Sequence, residues 1–316
     1  MKTASIRAIA KAAGVSPATA YRALHHGFAN RVSPETCARV IAAAKKLRYC
    51  SERESRLYGI LVAELTSSYA QQLIAELLSR IHAQNHRCVI IPEQGASAIE
   101  TMWLDGLISN VYYTGLDVKY ADAFNLPIVT INNFSRRIDN IFSVNSDDSD
   151  AIEQAVNHLV KLGHRQIGLL HQDPANNMCS RIRLQSYIRV MKERYNLKHC
   201  EWDFAGESLT PIIREIAAAG VTGLIVASEG NDLKLLNSLA ENHLRVPEDM
   251  SLIVWGSSGF SESVHPRLTA LRQNFKALAA ETLNMLDNII AGRAKTLTNI
   301  EVPYLFFPRE STGAPR

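Results

Sequence analysis

"IRAIAKAAGVSPATAYRAL", residues 6–24, contains two short helical patterns separated by Gly14-Val15-Ser16. Ile6, Ile9, Ala10 and Ala13 recur at the spacing that lines one helix face, and Gly14 follows where a left-handed C-terminal residue belongs. Ser16 then has the hydroxyl of an N-cap, Pro17 suits the first helical position, and "ATAYRALHH" continues as a second helix. Two short helices joined by a three-residue turn with a glycine predict a helix-turn-helix, whose second helix can enter a DNA major groove.

The stretch "SPETCARVIAAAKKLRY", residues 33–49, repeats the start signal with Ser33 and Pro34 and places Val40, Ile41, Ala44 and Leu47 on one face. A three-helix head follows, with a core expected from Ile9, Ala10, Val15, Ala20, Ala23, Val40 and Leu47. Small alanines hold such helices close and leave little room for larger side chains. The helix beginning at Ser16 and Pro17 would offer its N-terminus, with the Thr19 hydroxyl, to phosphates. Ala18 and Arg22 would face base edges, Arg22 being suited to a bidentate contact with guanine, and Tyr21 could stack or hydrogen-bond to the backbone of the duplex. Ser5, His25 and Arg31 complete the candidate DNA contacts. The plain alternative is a solvated surface helix carrying one arginine.

Charge favours a polyanion. The chain carries 34 Lys and Arg against 31 Asp and Glu, yet residues 1–58 hold 11 basic and 3 acidic residues, so the remainder is net acidic. A basic end on an acidic body points to nucleic acid. With 316 residues, 47% hydrophobic and 21% charged, the chain can bury more than one core. Runs such as "GLIVA" are far too short to span a bilayer, and the N-terminus has no apolar run with a cleavage site, so a cytoplasmic, nucleoid-associated protein without membrane contact is expected. Cys37, Cys50, Cys88, Cys179 and Cys200 are scattered and read as reduced thiols. His158, His164 and His171 straddle a helix end and a strand and read as structural or surface residues, so no metal or other cofactor is called for.

From Tyr58 onward apolar strands alternate with helices. "YGILVAE", "CVIIP", "GLISNV", "PIVTI", "QIGLLH", "GLIVA" and "SLIVW" read as buried strands between helical segments such as "YAQQLIAELLSRIHAQ" and "DAIEQAVNHLVKLG". Buried parallel strands need covering helices, which gives an open α/β body. Within it Asp150 is expected to cap the helix that follows. The organisation expected is a head at 1–50, a linker at 51–57 and a body at 58–316.

The residues of "IRAIAKAAGVSPATAYRAL" in register with Ala10, Ala13-Gly14-Val15-Ser16, Thr19 and Arg22, together with the third helix, resemble the lactose repressor/galactose repressor family of bacterial transcription regulators. Ala8 and Tyr21 stand where that family has an Asp and a Ser. "AIEQAVNHLVKLGHRQIGLL", "LRVPEDMSLIVW", "PRLTALRQNF" and "FFPREST" resemble the family's effector-binding core, itself similar to periplasmic sugar-binding proteins. The resemblance implies a small all-α helix-turn-helix head on a two-lobed periplasmic-binding-protein-like body with parallel sheets. It also implies a homodimer on a palindromic double-stranded DNA operator.

The ligand positions depart from that pattern. The family's Arg falls on Arg183, its Asn or neighbouring Asp on Ser228 and Glu229, and its second Asp on Gly256. Losing a carboxylate removes a charge-assisted hydrogen bond of roughly 1.5–3 kcal/mol, so a typical hexose is disfavoured. Arg183 with Ser228, Ser257 and Ser258 could instead hold an anionic group, with Tyr69 or Trp255 stacked on a ring. The alternative is an Arg183 paired with Glu229 or Asp147 and no small-molecule site. Between Tyr49 and Tyr58 lie only eight residues, "CSERESRL", about half the family's length, with no apolar wedge for the minor groove. "PEQGASAIETMWLDGL" is also short and is expected to form a reduced helix with Trp103 capping the sheet. No phosphate-binding glycine loop, nucleophile elbow or acid–base set is present, so an enzyme is not expected. Two readings remain: a ligand-responsive repressor, or a DNA-binding regulator whose body serves dimerisation or a protein partner.

Overall fold

The computed structural model describes residues 5–24, 32–47, 49, 55–111, 126–132, 142–175, 177–204, 208–256, 259–294 and 299–316. In chain order these contain α1 (Ile6–Ala13), α2 (Pro17–Leu24), α3 (Pro34–Lys46), β1 (Leu57–Val62), α4 (Ser68–Ala83), β2 (Arg87–Pro92), β3 (Gly106–Asn110), β4 (Ile128–Ile131) and β5 (Phe142–Ser146). There follow α5 (Asp148–Lys161), β6 (Ile167–His171), α6 (Met178–Arg189), β7 (Cys200–Asp203), α7 (Leu209–Ala218), β8 (Gly223–Val226), α8 (Asp232–Glu241) and β9 (Ser251–Trp255). Last come α9 (Phe260–Ser263), β10 (Thr269–Arg272), α10 (Phe275–Ile290), β11 (Asn299–Val302) and β12 (Leu305–Phe307).

The chain divides into two units, one of Met1–Thr66, Ala70–Asn145 and Lys276–Ile300, the other of Ser67–Tyr69, Ser146–Phe275 and Glu301–Arg316. The first holds a sheet in the order β11-β5-β4-β3-β1-β2, with β1 parallel to both β2 and β3. The second holds β12-β10-β9-β8-β6-β7, parallel except where β12 runs against β10. In each sheet the order reverses beside the unit's first strand, at β1/β3 and at β6/β8. The crevice beyond the carboxyl ends of the strands at such a reversal is where ligands of open α/β sheets bind.

Strand alternation explains the second unit's two cores. Leu169, Ile225, Ile253, Trp255 and Leu271 pack on one face with α5 residues, while Leu170, Leu224, Val226, Leu252, Val254 and Ala270 pack on the other with α7 and α8. A sheet buried on both faces reads as continuous apolar runs, which is how its central strands appear in the sequence. The five strands outside those runs are short or half polar: "FSVNS" for β5, "CEWD" for β7, "TALR" for β10, and β11 and β12.

Four expectations change. Leu47 is 37% exposed and lies outside the head core, which instead contains Leu24, Ile41, Ala44 and Trp103. Trp103 therefore packs against the head and does not cap the sheet. Residues Glu93–Glu100 form a 3-10 helix, the reduced helix foreseen in that segment. The cap of α5 is Asp147, whose Oδ1 accepts the Asp150 N–H at 2.9 Å, so Asp150 is the capped residue. Arg183 pairs with Asp148, with Nε donating at 2.8 Å, and with neither Glu229 nor Asp147.

Cys37, Cys88, Cys179 and Cys200 are free thiols, and burial beside Asp148 pushes the Cys179 thiol well up. Among the described residues no group of three or more His, Cys, Asp or Glu is arranged for a metal, and no helix is long and apolar enough to cross a membrane. His164 is a packing histidine, with Nδ1 on the Thr222 hydroxyl at 2.9 Å and Nε2 against the Ser251 hydroxyl and the Gly313 carbonyl.

Candidate functional site

The head presents its second helix by a short chain of local interactions. Ser5 Oγ accepts the Ala8 N–H at 3.3 Å and starts α1. Gly14 ends it at φ 65°, ψ 38°, and the Val15 N–H reaches back to the Ala10 carbonyl at 3.0 Å. Two residues later Ser16 Oγ accepts the Thr19 N–H at 3.1 Å and meets the Thr19 hydroxyl at 2.8 Å. Ser33 and Thr36 repeat this at 3.3 and 2.9 Å, so the two Ser-Pro-x-Thr stretches are equivalent caps.

The consequence is a fixed outward face. Ala20, Ala23 and Leu24 turn inward, while Ser16, Pro17, Ala18, Tyr21 and Arg22 are exposed and Thr19 is half-buried. Pro17 carries no N–H and Ser16 occupies that of Thr19, so the Ala18 amide is the first-turn donor that the cap leaves for a phosphate. Side-chain chemistry on this face comes from the Arg22 guanidinium and the Tyr21 phenol, which is 44% exposed. His25 and Arg31 lie outside the described residues.

The candidate ligand residues of the second unit gather at the carboxyl ends of its strands, and most are already engaged. Arg183 donates from Nε to Asp148, from Nη1 to the Ala227 carbonyl at 3.1 Å and from Nη2 to the Tyr304 hydroxyl at 3.3 Å. Its guanidinium carbon lies 4.5 Å from the centre of the Trp255 ring. The Tyr304 hydroxyl donates to Asp148 at 2.8 Å and accepts the Trp255 indole N–H at 3.2 Å. Burial and the Asp148 carboxylate hold the Tyr304 hydroxyl far above its ordinary pKa. Arg183 is thus a buried cation paired with Asp148 and bonded through all three nitrogens, and Trp255, with no exposed surface, offers no face to a ring. Asp148 and Tyr304 complete this cluster without a sequence signal, because nothing in local spacing brings positions 148, 183 and 304 together.

A second polar chain runs beside it. Ser146 Oγ donates to Gln273 Oε1 at 2.8 Å, and Gln273 Nε2 donates to Glu229 Oε1 at 3.0 Å. Ser228 Oγ donates to Gln172 at 3.0 Å and accepts from Asn231 at 2.8 Å. Asp147 commits Oδ1 to the α5 cap, and Tyr69 packs on Phe275 with ring centres 5.6 Å apart. Gly256 has φ 140°, a backbone that L residues with side chains rarely adopt. A carboxylate at that position would therefore require a different backbone as well as a different residue. Ser257 and Ser258 lie outside the described residues.

Comparison with known proteins places both parts. Residues 5–52 match the family model for bacterial regulatory proteins of the lacI family, and residues 156–312 match a periplasmic binding protein-like domain. The chain is 30% identical over 311 residues to an uncharacterized HTH-type transcriptional regulator in the aml 5' region of Streptomyces limosus, covering 90% of this chain and 87% of that one. It is 25% identical over 338 residues to the lactose operon repressor of Escherichia coli K12, covering 100% of this chain and 92% of the repressor. Among solved structures, the lac repressor dimer bound to operator and the anti-inducer ONPF superposes with a TM-score of 0.71 at 24% identity, over 99% of this chain and 100% of that one.

Proposed function

The chain belongs to the lacI family of bacterial regulatory proteins and is a DNA-binding transcriptional regulator, not an enzyme; from that premise we propose that it represses transcription as a homodimer on a roughly palindromic operator. The observation that carries this reading is the exposed face of α2, capped by Ser16 and flanked by a basic segment. Two copies of that helix occupy successive major grooves about one duplex turn apart. The working division is 1–50 for reading DNA, 51–57 as linker and 58–316 for dimerisation and sensing, and the site of action is the cytoplasmic nucleoid. Ser5, Ser16, Pro17, Ala18, Thr19, Tyr21, Arg22, His25 and Arg31 are the assigned DNA contacts.

The positions assigned to a small-molecule effector are Tyr69, Asp147, Arg183, Ser228, Glu229, Trp255, Gly256 and Ser257. Such an effector would not be a typical hexose, since only Arg183 remains of the three polar anchors and each of its three nitrogens already donates to the protein. The same internal pairing of Arg183 favours a second reading, a body that binds no small molecule and serves dimerisation or a protein partner.

The test is selection of sites from random duplex DNA by the full-length protein at a stated, moderate salt concentration. Enrichment of a palindrome is the expected result. A folded dimer that enriches nothing overturns the proposal.

A further inference from the structure

Trp103 belongs by sequence to the first unit's α/β part, yet its side chain lies in the apolar core of the head. It is 6% exposed and clusters with Ile9, Ala10, Ala20, Ala23, Leu24, Val40, Ile41 and Ala44. Its ring centre is 6.2 Å from that of Tyr49, tilted by 48°, and the Tyr49 N–H is tied to the Ala44 carbonyl at 3.0 Å just past α3. From these contacts we propose that Trp103 is a clamp that seats the head on the α/β part of its own unit, replacing a flexible hinge with a packed joint.

The backbone that presents Trp103 is fixed from both sides. Met102 and Leu104 pack into the cluster formed by Leu61, Ile91, Ile99 and Leu107 beside β1 and β3, so residue 103 turns the other way. Next to it Asp105 grips the start of β1, its carboxylate accepting the Leu57 N–H at 2.8 Å and its own N–H donating to the Leu57 carbonyl at 2.9 Å. One residue earlier Arg56 forms an ion pair with Asp287 of α10, and the Tyr58 hydroxyl donates to the same carboxylate at 3.0 Å. The point where the linker enters the sheet and the point where the head touches it are therefore held by neighbouring residues.

Two further details fit a joint between parts. The Trp103 indole N–H is buried without an acceptor among the described residues, so the ring enters this contact by packing and not as a hydrogen-bond donor. The contact also leaves the α2 face at Ser16, Pro17, Ala18, Tyr21 and Arg22 exposed, so the clamp positions the head without covering it. A linker of this length with no apolar wedge has little other means of orienting the head. The clamp concerns how the head is carried and does not depend on what it reads.

Limited trypsin digestion of the full-length protein tests this, because Arg48 lies just before the linker and Arg53 within it. Trp103→Ala and Tyr49→Ala are each expected to speed release of the head by about tenfold or more, since cleavage follows the population of the undocked state. Trp103→Phe keeps the aromatic packing and removes the unpaired N–H, and release should stay near the native rate. The double alanine variant should release no faster than either single one, the signature of one shared contact. Thermal unfolding of the remaining body checks that each variant is folded, and Tyr49→Ala carries the test where Trp103→Ala does not fold. Native protein that loses its head as fast as Tyr49→Ala, or single effects that add in the double variant, would overturn the clamp.

Discussion

Glu229 shows how much of the ligand region is decided by single side chains. Burial pushes its carboxyl above the ordinary range, assisted by Asp148 and Asp232 and opposed by Arg183 and the Gln273 amide. Native Glu229 therefore keeps its proton to higher pH than the unfolded chain, whose glutamates titrate near about 4.3. The native state binds more protons across that window, so stability present at acid pH is lost as pH rises from the unfolded value through the native one. Glu229→Gln cannot ionise and should escape this loss. Melting temperatures of the two proteins should diverge as pH rises above about 4.3, with native protein falling relative to the variant; parallel curves would show that Glu229 is not held by burial. Arg183 became a candidate anchor through the family resemblance of its stretch, but its partner was not legible. Asp148 adjoins the cap residue Asp147, and only folding decides which neighbour turns outward to cap and which turns inward to pair.

At the scale of elements, caps and periodicity were legible because they are local. Ser16, Ser33 and Gly14 sit where a two-residue reading places them, since each acts on atoms within five residues. Apolar runs gave seven strands for the same reason and missed the interior strands β5 and β10, whose "FSVNS" and "TALR" are short or part polar. The edge and return strands β7, β11 and β12 were not legible, because a strand with one neighbour and one wet side needs no continuous apolar run. Gly14 offers a clean test of a local signal. An added Cβ would have nothing within 4 Å, so Gly14→Ala carries only the conformational cost of the left-handed backbone, about 1–2 kcal/mol. Gly14→Asn should cost less, because asparagine tolerates that region. Hydrogen-exchange protection of the α1 and α2 amides should fall in the order Gly, Asn, Ala; equal protection in all three would mean that the turn relaxes out of the left-handed conformation.

On the scale of the whole molecule, the sequence separates two jobs by charge, with 11 basic and 3 acidic residues in the first 58 and a net acidic remainder. That separation made a polyanion partner legible, while the placement of the head on Trp103 was not, since it depends on a contact between segments about fifty residues apart. Charge and readout make different demands on Arg22, which is exposed on α2. Phosphate contacts release counterions, so affinity should fall linearly on a logarithmic salt scale with a slope of about −0.9 per phosphate neutralised. A bidentate guanine contact is worth about 1–3 kcal/mol of discrimination and adds little to that slope. Arg22→Ala should therefore weaken binding to the selected site, leave binding to unrelated duplex nearly unchanged and keep the salt slope. Uniform weakening on all sequences, with the slope shallower by about one, would reassign Arg22 to the phosphate backbone. In that case base preference would rest on Tyr21 and on the small apolar surfaces of Pro17 and Ala18, a face suited to thymine methyl groups.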